Sequence, residues 1–360
     1  MKNAEYKRII NLIIGVLSIV LYGVYFIIVL TMKKGEELSV IGFSLLGIAI
    51  SYLLTTLIHE LGHIVFGLCS SLKLCYVKIF GLHFYKNEKG KLSVKLCRDG
   101  GVFGETAFYP STSENVAFKI GITAFGGPIF SFIQTLIQLI LAIVLVDNTF
   151  MVCAFGISFV LPLYVFIINV IPFSFEYDGS LAFTMLSGGK KSLVASSYIT
   201  ASTLISNGVE PSELSGKLLA VYDEDYGFYN VKIIRLRYLS TLINDEATAF
   251  NELQKISEIN RLPDGTYAEV LYELLFKALV LADDKFISTY REEALEYLDY
   301  DDTPTSLRVQ VALSIYDGDY DRAKLLVASG LKVCETYLDK GIAKLEKQLL
   351  ERFQDVLNEI

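Results

Sequence analysis

The first half of the chain is dominated by four apolar runs separated by polar segments. They cover Ile9 to Leu30, Ser39 to Cys69, about Ile120 to Val146, and Phe150 to Ile171. A helix of about 20 apolar residues crosses a hydrocarbon core of ~30 Å. The pattern therefore predicts four transmembrane helices. The first run lacks the short apolar core and small-residue cleavage site of a signal peptide, so we expect it to be retained.

Between the second and third runs, apolar and polar residues alternate. Tyr76 to Phe80 and Leu82 to Tyr85 precede a polar turn at Asn87 to Gly90, and Lys91 to Leu96 follows it. Alternation around a turn predicts a small β-hairpin. Gly100 to Pro110 is apolar and rich in glycine. This segment either dips back toward the candidate site described below, since irregular backbone is tolerated where it lines a cavity, or forms a surface loop.

From about Ser192 onward, apolar residues recur at helical spacing and are interrupted by turns. The last three turns begin near Ile243, Ala282 and Asp317, about 34 to 39 residues apart. This period is typical of stacked helical hairpins. Asp317 to Ala323 in particular resembles the inter-helix turn of a tetratricopeptide repeat.

We therefore expect a mainly α-helical protein with two domains. The membrane domain covers residues 1–190 with its hairpin insertion, and a soluble, tetratricopeptide-like helical-repeat domain covers 191–360. Such arrays present a concave surface to peptides or proteins. The alternative is a helical cap that only stabilises the membrane domain.

Charge separates the two halves. Residues 1–180 hold 13 Lys and Arg against 11 Asp and Glu, while 181–360 hold 19 against 29. The acidic second half argues against nucleic-acid binding, which needs a basic face. The five cysteines include no Cys-x-x-Cys pair and are expected to be reduced packing residues.

Lysine and arginine are also uneven between the loops. The N-terminus holds three and the 70–116 loop seven, whereas the other two loops hold only Lys33 and Lys34. Cytoplasmic loops carry the excess of these residues. The sequence therefore predicts that both termini and the 70–116 loop are cytoplasmic, and that the protein lies in the plasma membrane of a bacterium.

The candidate chemistry is His59-Glu60-Leu61-Gly62-His63, near the end of the second apolar run. Residues four apart share one face of a helix, so the two imidazoles can hold one Zn²⁺ while Glu60 takes a proton from a bound water. The alternative is a long helix with three buried polar residues. Ionisable groups in hydrocarbon cost about 2.5 to 3.5 kcal/mol each, so this triplet needs a function or a partner.

Two histidines leave a catalytic zinc site one protein ligand short, since such sites take three and a water. The fourth run ends at Pro172, and two carboxylates follow, Glu176 and Asp178. The third histidine, His83, has no second ligand at a usable spacing and is left out of the site.

These features together resemble the site-2 protease family of intramembrane zinc metalloproteases. That family combines the histidine motif with a Gly-Pro on the next span, here Gly127-Pro128, and with a later N-x-x-P and D-G. The resemblance implies that Asp178 is the third zinc ligand, with Glu176 as the competitor. It also implies that Asn169, Pro172 and the Gly127-Pro128 pair lie near the substrate, although Asn169 could instead cap a helix end.

The sequence departs from the family pattern in three respects. Ser131 stands where the family has Asn, the interval from Pro172 to Asp178 is one residue longer than usual, and Leu181 replaces a small residue. The departures leave the metal ligands intact and affect the expected substrate contacts.

The resemblance implies one zinc per chain and hydrolysis of peptide bonds within or near the spans of membrane-anchored substrates. The helical domain would bind a protein partner or regulate the enzyme. A non-catalytic receptor or scaffold on a protease-derived frame is the alternative. A transporter is disfavoured because the spans hold no further buried charges or inverted repeat.

The charge distribution between the loops gives a first testable prediction. A phosphatase reporter that is active only outside the cell should be active at Lys33 and Asp147 and silent at Lys89 and Ile360. Activity measured for the four fusions checks this. A cytoplasmic Asp147 would contradict the four-span arrangement.

Overall fold

The structure is a computed structural model, and the chain divides into two compact units, Met1–Ser196 and Ser197–Ile360. The residues it describes are 2–86, 91–96, 104–110, 114–172, 177–220, 228–256, 264–337 and 339–360.

The first unit is mainly helical and contains four segments that are long and apolar enough to cross a membrane. Large side chains such as Leu12, Ile19 and Ile143 are mostly exposed on these segments, as expected for surfaces that face lipid. The four helical spans predicted from the apolar runs are thus present. Its helices are α1 (Lys2–Met32), α2 (Glu37–Cys69), α3 (Val116–Val144), α4 (Thr149–Met151), α5 (Val160–Val170) and α6 (Asp178–Leu186), with a π-helical segment Val152–Ile157 between α4 and α5. Helix α7 (Gly189–Ser206) begins in the first unit and ends in the second.

A small antiparallel sheet lies between α2 and α3 in the chain. Its order is β3-β2-β1-β4, so β4 is an edge strand. The predicted hairpin is part of this larger sheet. Phe80 and Gly81 join its first two strands with φ of 52° and 77°, as primed two-residue hairpin turns require. The strands are β1 (Leu72–Ile79), β2 (Leu82–Lys86), β3 (Leu92–Leu96) and β4 (Gly104–Pro110).

The turn between α1 and α2 and the turn between α3 and α4 lie at the same end of the helical bundle. Lys33, after α1, donates from Nζ to the backbone oxygen of Asp147, after α3, at 2.8 Å. Glu36 accepts a hydrogen bond from Thr149. The two turns predicted to be extracellular are therefore on the same side of the unit.

Helices α2 and α3 pack at unusually short range. A Cβ added to Gly62 would lie 2.2 Å from the backbone oxygen of Gly126, and one added to Gly126 would lie 2.4 Å from that of Gly62. Small residues allow such backbone contact between membrane helices. This contact brings α3 within reach of the histidines on α2.

The described residues of the second unit are mainly consecutive helices. Asp245, Asp283 and Asp319 each cap the helix that follows by accepting a backbone hydrogen bond. All three lie in turns that were predicted from the sequence. The helices are α8 (Phe228–Thr241), α9 (Glu246–Leu253), α10 (Asp264–Val280), α11 (Asp284–Leu298), α12 (Pro304–Tyr316), α13 (Tyr320–Thr336) and α14 (Lys340–Glu359), preceded by a 3-10 turn at Pro211–Glu213.

A line of alternating charges crosses the core of this unit. Arg308 on α12 lies 2.8 Å from Glu273 on α10 and 2.6 Å from Glu346 on α14, and all three side chains are fully buried. Arg235 on α8 lies 3.6 Å from Glu273. Burial lowers the pKa of the Arg308 guanidinium, but the two carboxylates outweigh burial and raise it, so the group stays charged.

The buried position of Arg308 gives a prediction about stability. Arg308→Met removes the cation that two buried carboxylates share, and the 3.6 Å contact of Glu273 with Arg235 does not replace it, so the free energy of unfolding should fall by about 3 to 5 kcal/mol. Arg291, which forms a surface ion pair with Asp317, provides the matched control. Arg291→Met should cost at most about 1 kcal/mol.

Urea unfolding followed by circular dichroism measures both losses. Equal losses for the two variants would show that the buried line of charges does not stabilise this unit.

Candidate metal centre

The three polar residues of the histidine motif are buried on one face of α2. His59 and His63 are each 8% exposed and Glu60 is 4% exposed. Each can offer one ligand atom, and these atoms all lie within 4.8 Å of one another. Helical spacing alone places the two imidazoles side by side.

Asp178, the first residue of α6, brings a carboxylate to the same point. Its Oδ2 atom lies 3.0 Å from Nε2 of His59 and 3.3 Å from Nε2 of His63, and the two Nε2 atoms are 3.3 Å apart. In a tetrahedral zinc site with bonds of 2.0 to 2.1 Å, neighbouring ligand atoms are about 3.3 Å apart. The three atoms thus form a triangle with the dimensions of one face of a zinc tetrahedron. Glu176, the competing carboxylate, lies outside the described residues.

The other ring nitrogens are held by α3. His63 donates from Nδ1 to the backbone oxygen of Thr123 at 2.9 Å, and Nδ1 of His59 lies 2.9 Å from Oγ of Ser131. A carbonyl only accepts hydrogen bonds, so the proton of neutral His63 is on Nδ1 and the lone pair of Nε2 points at Asp178. Such outer partners orient metal-binding histidines.

The three facing atoms need a proton or a cation between them, because a carboxylate oxygen and an imidazole lone pair repel each other. Burial raises the pKa of Asp178, but the neighbouring His63 and His59 outweigh this and hold the pKa below its usual range, so Asp178 is a carboxylate. The charge facing it is either an imidazole proton or a metal cation. The donor set of two imidazoles and one carboxylate suits zinc.

Glu60 is oriented by the sheet. Its Oε2 accepts a hydrogen bond from Oγ1 of Thr106 on β4 at 2.5 Å. A Cβ added to Gly104 would lie 2.4 Å from Oε1 of Glu60, so the strand runs directly against this carboxylate. Residues 104–110 of the glycine-rich segment therefore lie against the site, which is one of the two predicted alternatives, and they do so as a strand rather than as irregular backbone.

Gly127 of the Gly-Pro pair also lies at the centre. A Cβ there would lie 2.3 Å from Nε2 of His63 and 2.6 Å from Nε2 of His59. Pro128 is buried within α3. The glycine leaves room in front of both imidazoles.

The remaining predicted residues lie at the end of α5. Asn169 donates from Nδ2 to the backbone oxygen of Val165, as a helix-terminal residue does, and Pro172 is exposed beyond the helix. A Cβ added to Gly179 would lie 2.4 Å from the backbone oxygen of Val170. This close contact fixes the start of α6 and hence Asp178. The substrate roles of Asn169 and Pro172 stay predictions.

His83 lies away from this arrangement, in the sheet. Its ring packs edge-on against Tyr76 and stacks on Tyr85, with centroid distances of 4.8 and 5.0 Å. Its position is consistent with a packing role.

Family models, curated proteins and solved structures were each compared with the chain, and none matches it.

The position of Gly127 predicts a defect in metal binding. Gly127→Ala places a methyl group among the Nε2 atoms, so zinc affinity should fall at least about tenfold. Gly42→Ala on α2 is the control, since a Cβ there meets nothing within 4 Å.

Zinc content of the purified proteins, measured by mass spectrometry after dialysis against a graded chelator, gives the comparison. Full zinc retention by Gly127→Ala would show that the metal does not bind in front of the imidazoles.

Proposed function

We propose that the protein is a zinc-dependent intramembrane protease, similar to site-2 proteases, that cleaves membrane-anchored proteins or peptides. The observation that carries the proposal is the triangle of His59, His63 and Asp178 with Glu60 beside it, in which the histidines and Glu60 lie on a helix apolar enough to cross a membrane. One zinc per chain, with His59, His63 and Asp178 as its ligands, would polarise a peptide carbonyl and acidify a bound water.

The protein's own residues would perform the proton transfer. Glu60 accepts the proton of the attacking water and passes it to the leaving amine, as a general base and then an acid. Thr106 donates a hydrogen bond to Oε2 of Glu60, so Oε1 would be the atom that accepts the proton. The partners of His59 and His63 on α3 keep the reactive lone pairs facing inward.

The sheet would present the substrate. A helical span must unwind before cleavage, because its carbonyls are otherwise bonded within the helix. Strand β4 pairs only with β1 among the described strands, and its residues Gly104 and Thr106 lie against Glu60. An unwound substrate added to the outer edge of β4 would gain main-chain hydrogen bonds close to the base.

The second unit would serve regulation or partner binding as a tetratricopeptide-like domain on the cytoplasmic side. Its regularly spaced turns and acidic composition support this assignment. The lysine-rich 70–116 loop supports a metal centre near the cytoplasmic face of a bacterial membrane.

The central test separates metal binding from chemistry. Glu60→Gln should retain zinc while cleavage falls by about 10² or more, the usual scale for loss of a general base. Asp178→Ala should lose zinc, because it removes one of three protein ligands. Glu176→Ala is the control and should change neither property.

Zinc content and cleavage of a single-span reporter with a helix-destabilised membrane segment, co-reconstituted in liposomes, provide both readouts. The proposal fails if Glu60→Gln cleaves normally, and the ligand assignment fails if only Glu176→Ala loses zinc.

A further inference from the structure

A line of buried polar side chains runs between α2 and α3, away from the metal centre. Gln134 donates from Nε2 to Oγ1 of Thr55 at 3.1 Å, and Gln138 donates from Nε2 to Oγ of Ser51 at 3.4 Å. With the contact between His59 and Ser131, these pairs form three successive rungs between the two helices. We call this set the polar seam; it consists of Ser51, Thr55, Ser131, Gln134 and Gln138, all buried.

The seam extends through the apolar part of the bundle. Successive rungs are about four residues apart on α2, so Ser51 lies about 12 Å along the helix from His59. Ser51 in turn donates to the backbone oxygen of Ser158 at 3.2 Å. The seam therefore runs toward the end of the bundle that holds the Lys33 and Asp147 turns.

The two glutamines carry more polar atoms than the rungs use. Gln134 is 5% exposed and Gln138 is 4% exposed, and the Oε1 atom of each has no hydrogen-bond partner among the described residues. An unsatisfied amide oxygen is costly in a hydrocarbon environment. Hydrogen bonds between the helices account for the two Nε2 donors of the glutamines. They do not account for the two Oε1 acceptors on the same face of α3, which have no partner among the described residues.

We propose that the polar seam is an internal hydration site that binds a short file of water molecules behind His59. A buried water needs two to four polar partners, and the seam offers the Oε1 atoms with the hydroxyls of Ser51 and Thr55. Water fits better than a cation, because all the seam's side chains are neutral and none would offset a buried charge. The file connects to the metal centre through Ser131, the hydrogen-bond partner of His59.

The inference is independent of zinc binding and of the proposed reaction. If the proposed hydrolysis takes place at the metal centre, the waters of the seam would be a nearby source of the water that the reaction consumes.

X-ray radiolysis of the protein in lipid nanodiscs tests this directly, since hydroxyl radicals form from water and oxidise only nearby side chains. A single cysteine serves as the trap, at Ser51→Cys in the seam or at Ile50→Cys, which faces outward at nearly the same depth. The five native cysteines are replaced in both, and a melting temperature equal to that of the native protein shows that each variant is folded.

Oxidation counted by mass spectrometry should be on the order of tenfold faster at Ser51→Cys than at Ile50→Cys. Adding Gln134→Leu and Gln138→Leu, which remove the acceptors without adding an oxidisable sulfur, should reduce the rate to that of Ile50→Cys. Equal rates for the two single-cysteine proteins would overturn the proposal and leave the seam as a helix-packing contact. An unchanged rate in the folded leucine variant would also overturn it.

Discussion

The helical bundle of the first unit is organised by one constraint: a polar group buried among apolar side chains must find its partner inside the protein. His59, Glu60 and His63 lie on a helix whose other faces carry large apolar side chains. Their partners therefore come from other elements: the histidines bond to α3 and to the start of α6, and Glu60 bonds to β4. These hydrogen bonds bring α2, α3, α6 and β4 together around the site.

Glycine makes this assembly sterically possible. Gly62 and Gly126 let α2 and α3 touch through their backbones, Gly127 leaves space in front of the imidazoles, and Gly104 lets the strand run against Glu60. A Cβ at any of these positions would lie within 2.6 Å of an atom of the neighbouring element, so the elements would have to move apart. The close packing and the polar site thus depend on each other.

The spans and the histidine motif were predictable because hydrophobic length and helical spacing are local properties of a sequence. Asp178 was identified through the family resemblance, since spacing alone left Glu176 as an equal candidate. Thr123 and Thr106 were missed, because their roles depend on which elements pack together. Ser131 was noticed only as a departure from the family pattern, and it faces His59. The fourth strand was missed because glycine, which normally weakens a strand, is needed there for the contact with Glu60.

The central claim is that two imidazoles and one carboxylate bind a single zinc ion, and X-ray absorption at the zinc edge tests it most directly. The account predicts one zinc per chain, surrounded by about four nitrogen and oxygen atoms at about 2.0 to 2.1 Å. A protein that stays free of zinc when the metal is supplied, or a zinc ion with sulfur neighbours at about 2.3 Å, would contradict it.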